Sequence, residues 1–120
     1  MKEDFITFEI AKKLKEKGFN WKVNAYYGKH DNLFVIHPAM DMNDSYYGHS
    51  APTIDQVLKW LRNEKKIFIN VDVRTNLEWY YEVWNINKKL SVLGNVDFNK
   101  SESYEESALA GIEYVIDNLI

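Results

Sequence analysis

The chain has no cysteine, which removes disulfide frameworks, thiol nucleophiles and thiolate metal sites from consideration. Only 2 prolines and 5 glycines punctuate its 120 residues, and neither a low-complexity linker nor a clear repeat interrupts them. No apolar run approaches the roughly 20 residues that a membrane-spanning helix requires. The opening MKEDFITFEIAKK lacks an apolar h-region and a small-residue cleavage site, so no signal peptide is expected. A basic excess is missing as well. Lys+Arg number 15 against 18 Asp+Glu, for a net charge of -3, and Arg62 and Arg74 are the only arginines. Phosphate neutralisation dominates nucleic-acid affinity, so general DNA or RNA binding is disfavoured. The expectation is a cytoplasmic protein without membrane attachment.

What is present is enough to fold. Hydrophobic residues make up 46% of the chain, and a length of 120 residues suits one α+β domain over 1–120. Charge is uneven: residues 1–66 hold 11 basic and 9 acidic groups, residues 67–120 hold 4 and 9. Aromatics are abundant, with 6 Phe, 8 Tyr and 4 Trp, more than a core of this size readily hides.

Periodicity predicts a first helix from Asp4 or Thr7 to Gly18, with Phe8, Ala11 and Leu14 inward and Gly18 as a left-handed cap. Strands over Lys22–Tyr27 and Leu33–His37 follow, joined by a hairpin loop at Gly28–Asn32. Residues 38–52 read as a long irregular connection, and such loops are often functional. Thr53 and Gln56 stand in capping-box spacing before a second helix, whose inward stripe is Ile54, Val57, Leu58 and Leu61.

Strict alternation marks two further strands, Ile67–Arg74 and Leu77–Ile86, with a turn at Thr75 and Asn76. Parity sends Ile67, Ile69, Val71 and Val73 to one face with Leu77, Trp79, Tyr81 and Val83. Phe68, Asn70, Asp72 and Arg74 go to the other face with Glu78, Tyr80, Glu82 and Trp84. Burying two unpaired glutamates is costly, so this second face is expected to meet water. A short strand near Leu90–Leu93 precedes a final helix, which Ser103 and Glu106 begin as a capping box and Ala108, Ile112, Val115, Ile116 and Leu119 face inward. Gly111 inside that helix suggests close approach of another backbone. The order α-β-β-α-β-β-α predicts an α+β fold: an antiparallel sheet of about four strands with three helices, mainly on one face.

The segments APTIDQVLKWLRNEKKIFINV, LEWYYEVWNI and SYEESALAGIEYVIDNLI resemble a group of small uncharacterised proteins of Bacteroides-type gut bacteria and their phages or other mobile elements. The resemblance spans roughly residues 51–120 and is carried by Pro52, Thr53, Trp60, Arg62, Tyr104, Glu105, Glu106, Ala108, Gly111 and Ile112 among others. Ser107 departs from a more usual alanine. The resemblance implies an accessory intracellular protein and brings no activity, cofactor or catalytic residue.

Candidate chemistry is sparse. His30, His37 and His49 with Asp31, Asp41 and Asp44 are metal-compatible types, but no HExxH, paired-Asp or facial-triad spacing appears, so no metal site is assigned. No serine lies in a GxSxG elbow, and no Gly-rich phosphate cradle exists. Glu78 and Glu82 lie about 13 Å apart by strand rise, too far for a glycosidase pair. No catalytic residue and no cofactor are expected.

The leading expectation is a non-catalytic interaction module. It binds a protein partner or itself through Phe68, Arg74, Tyr80, Glu82 and Trp84, because aromatics and arginine supply binding hot spots. The competing reading covers those rings with the protein's own helices or with the 38–52 loop, as a second core layer. Two further readings are a small-molecule or metal site at that loop, with Tyr46, Tyr47 and His49, and weak nucleic-acid binding through Lys12, Lys13, Lys15, Lys17, Lys59, Lys65 and Lys66.

Overall fold

A computed structural model describes residues 4–44, 48–93 and 101–120, and shows the α+β class with antiparallel sheets. The chain divides into two compact units, Met1–Thr53 and Ile54–Ile120.

In the first unit, helix α1 spans Phe8–Glu16. Thr7 caps it, its Oγ1 accepting from the Ile10 N–H at 3.2 Å, and Ile10, Ala11 and Leu14 form the buried stripe. The helix stops where the sequence predicts. Gly18 takes φ +85°, and the chain turns back so that the Phe19 N–H donates to the Leu14 carbonyl at 3.0 Å and the Phe19 ring is buried. Strands β1 (Val23–Tyr27), β2 (Leu33–Met40) and β3 (His49–Ser50) form an antiparallel sheet in the order β2-β1-β3.

In the second unit, helix α2 spans Ile54–Glu64 and buries Ile54, Val57, Leu58, Trp60 and Leu61. Strands β4 (Ile67–Val73), β5 (Trp79–Asn85) and β6 (Leu90–Leu93) form a second antiparallel sheet, in chain order. Helix α3, Tyr104–Asn118, begins at Ser103, whose Oγ accepts from the Glu106 N–H at 3.1 Å. Its buried residues Ala108, Ile112, Val115 and Ile116 match the predicted stripe.

Four differences from the sequence expectation have physical causes. The strands form two three-stranded sheets instead of one sheet of about four: the unexpected β3 joins the β1–β2 hairpin, and the expected strand at Leu90–Leu93 joins β4–β5 as β6. The described part of the 38–52 segment is more regular than expected of an irregular connection: β2 runs on to Met40, a 3-10 turn covers Met42–Asp44, and β3 is His49–Ser50. Strand β5 starts at Trp79, two residues later than alternation predicts. Leu77 sits at φ +65°, closing a three-residue hairpin loop in which the Arg74 N–H donates to the Glu78 carbonyl at 2.9 Å. Gly111 meets side chains and not another backbone: a Cβ there would lie 3.0 Å from Ile69 Cγ2 and 3.1 Å from Tyr81 Cδ2. Its missing side chain lets α3 settle on β4 and β5.

Candidate functional site

The ribbon β4–β5 has two faces set by pleat parity, but the side expected to be sealed opens toward the hairpin, where Val73 is 37% and Leu77 78% exposed. Ile67, Ile69, Tyr81 and Val83 are buried, and α3 rests on this side through Gly111. On the opposite side, Phe68 and Trp84 are directly paired across the strands, each 37% exposed. Asn70 and Glu82 pair next, with Asn70 Nδ2 donating to Glu82 Oε1 at 3.3 Å. Asp72 stands opposite Tyr80. At the hairpin end the Arg74 guanidinium lies 5.5 Å from the Tyr80 ring centroid and 3.7 Å from Glu78 Oε2. A cation over a ring contributes about 0.5–1 kcal/mol at exposed sites, a modest bias toward this arrangement of Tyr80.

The five residues predicted for a partner surface, Phe68, Arg74, Tyr80, Glu82 and Trp84, therefore share one face. It reads from apolar to charged along the ribbon: a Phe68–Trp84 pair, an Asn70–Glu82 hydrogen bond, then Tyr80 beneath Arg74. Within this unit α3 covers the other face, so these rings are not a layer beneath it. Counted over Asp72, Arg74, Glu78 and Glu82, the charged residues are three acids and one base.

The loop candidates do not assemble comparably. Tyr46 and Tyr47 lie outside the described residues. His49 is half-buried in β3, its ring edge-on to Phe8 at 5.7 Å between centroids. Its Nδ1 is buried without a hydrogen-bond partner. Burial lowers its pKa from 6.5, and the cations Lys15 and Lys12 push it the same way.

Sequence reasoning missed what braces this segment. Asn43 Nδ2 donates to the Phe19 carbonyl at 2.9 Å, while Asn43 Oδ1 accepts from the Ser50 N–H at 2.8 Å. Ser50 Oγ accepts from the Met42 N–H at 3.0 Å, and Lys15 Nζ donates to the Gly48 carbonyl at 2.7 Å. One usable signal was the asparagine itself, which combines donor and acceptor in one short side chain.

Several lysines of the proposed basic patch have local partners. Lys12 reaches Glu9 at 3.1 Å and lies over Phe8, Lys65 lies over Trp60, and Lys66 Nζ donates to the Asn63 carbonyl at 2.8 Å. Among the described residues no group of three or more His, Cys, Asp or Glu could hold a metal ion, including the acidic concavity of Glu78, Glu102 and Glu106. No described helix is long and apolar enough to cross a membrane. No family model, curated protein or solved structure matches this chain.

Proposed function

We propose that the protein is a non-catalytic interaction module that binds another protein through the open face of β4–β5. The observation that carries this reading is the Phe68–Trp84 pair, two large rings in cross-strand register and partly open to solvent, bordered by hydrogen-bonded polar groups. Rings held rigid by a sheet lose little entropy on binding, and aromatic anchors ringed by polar groups are the usual anatomy of a hot spot. Three acids against one base on this face favour a partner that brings apolar side chains flanked by lysine or arginine. The same charges oppose nucleic acid, despite the aromatic platforms that some RNA-binding sheets use.

The test is comparative capture from the host lysate with wild type, Trp84→Glu and Phe68→Ser, each checked for folding by circular dichroism. The expected result is a protein retained by wild type, released by rising salt and lost with both variants. Retention of the same proteins by folded variants removes this face as the binding surface.

A further inference from the structure

Strand β2 is exposed almost throughout. Leu33 is 42%, Phe34 44% and Val35 64% exposed, although they form a continuous apolar run. It is also an edge: β2 pairs with β1 on one side, and among the described residues no strand pairs with its other side. The ladder fixes which backbone groups face outward. The Gly28 N–H donates to the Asn32 carbonyl, and antiparallel bonding alternates, so Tyr26 and Phe34 exchange the next bonds. On the far side of β1, the Ala51 N–H donates to the Ala25 carbonyl, the complementary parity. Leu33 and Val35 therefore turn their N–H and C=O groups to the open edge.

Natural edges are blunted by charge, proline or bulges. Here the bulge lies between Val35 and Met40, and Pro38 lies beyond Val35, so the stretch from Leu33 to Val35 has none of these protections. Residues 32–40 contain no Lys, Arg, Asp or Glu.

We infer that β2 pairs antiparallel with β2 of a second copy of this chain. Outward-facing residues must meet outward-facing residues, and centring the pair on Phe34 sets Leu33 of one copy opposite Val35 of the other and Phe34 opposite Phe34. The open N–H and C=O groups of Leu33 and Val35 then all find partners. Aromatic cross-strand pairs stabilise a ladder further, and Phe34 is already stacked on Tyr26, with centroids 5.2 Å apart. The flanks are compatible as well: Asp31 precedes the strand and His37 lies toward its other end, so antiparallel pairing keeps the Asp31 carboxylates of the two copies at opposite ends of the shared ladder. No like charges are opposed. This surface shares no residue with the β4–β5 face.

Sedimentation of the whole chain, from low micromolar to several hundred micromolar, tests the inference alongside amide exchange. Wild type is expected to form a reversible dimer, with the Leu33 and Val35 amides gaining protection as concentration rises. Val35→Lys and Val35→Pro, both at an exposed position whose N–H does not bond to β1, are expected to weaken the dimer about tenfold or more. Trp84→Glu should leave it unchanged. A monomer across the range overturns the inference, as does a dimer without concentration-dependent protection at Leu33 and Val35. So does a dimer lost with Trp84→Glu but kept with Val35→Lys.

Discussion

The two sheets use similar residues to opposite ends. In β4 the sequence IFINVDV alternates, and its inward isoleucines Ile67 and Ile69 are 6% and 5% exposed while Phe68 between them is 37% exposed. In β2 the run LFVI does not alternate, and its first three residues are all exposed. Alternation reports a strand with one sealed face. An unbroken apolar run normally reports a strand sealed on both faces, as in parallel sheets. Such a run exposed on an edge is what prompts the dimer proposal for β2, whereas the aromatic face of β4–β5 stands out by the polar frame around it.

Substitutions sharpen this contrast. The largest effect is expected on the sealed side: Ile112→Ala, at a position with 0% exposure, should destabilise the second unit by about 2–5 kcal/mol in chemical denaturation. Val35→Thr on the exposed edge should change monomer stability by no more than about 0.5 kcal/mol. Comparable losses at the two positions would erase the distinction between sealed and open strands. Gly111→Val should cost about 1–3 kcal/mol, because its side chain would be driven into Ile69 and Tyr81. A smaller change of opposite sign is expected at Ser107, fully buried with an Oγ that makes no hydrogen bond. Ser107→Ala should raise stability by about 0.5–1 kcal/mol, since alanine removes the unsatisfied hydroxyl and favours the helix.

In the first unit the sharpest handle is pH. The folded state holds His49 below its ordinary pKa of 6.5, so the unfolded chain binds that proton more readily. Its contribution is fully present above about 6.5 and is lost as pH falls through the depressed folded-state value. Thermal unfolding followed from pH 7.5 to 5 should show a decline that His49→Phe reduces. An identical decline in both proteins would remove His49 as its source.

Much of this architecture is legible in the residues because it is local. Thr7, Gly18 and Ser103 mark helix ends through bonds to neighbours three to five residues away, and period-two alternation sorts the ribbon into its two faces. Phe68, Tyr80, Glu82 and Trp84 share a face directly from that parity. The brace around residues 41–50 does not, because Asn43 joins Phe19 and Ser50 through contacts with no fixed spacing. Gly111 was legible as an anomaly and not as a contact, since only tertiary packing brings Ile69 and Tyr81 to it. The openness of β2 was hidden for a related reason: sequence shows that a strand is apolar, and topology decides whether it becomes an edge.

The placement of the tryptophans has an optical consequence. Trp60 is 2% exposed, whereas Trp84 is 37% exposed on the open face. A collisional quencher such as acrylamide should reach the indole of Trp84 and largely spare that of Trp60. With Trp21 and Trp79, both half-buried, replaced by Phe in each case, a Trp84→Phe protein would then dim mainly when the fold opens, while a Trp60→Phe protein would report how far the open face stays accessible to quencher. Such single-tryptophan variants would give separate fluorescent gauges of integrity and of surface access, with no label to attach.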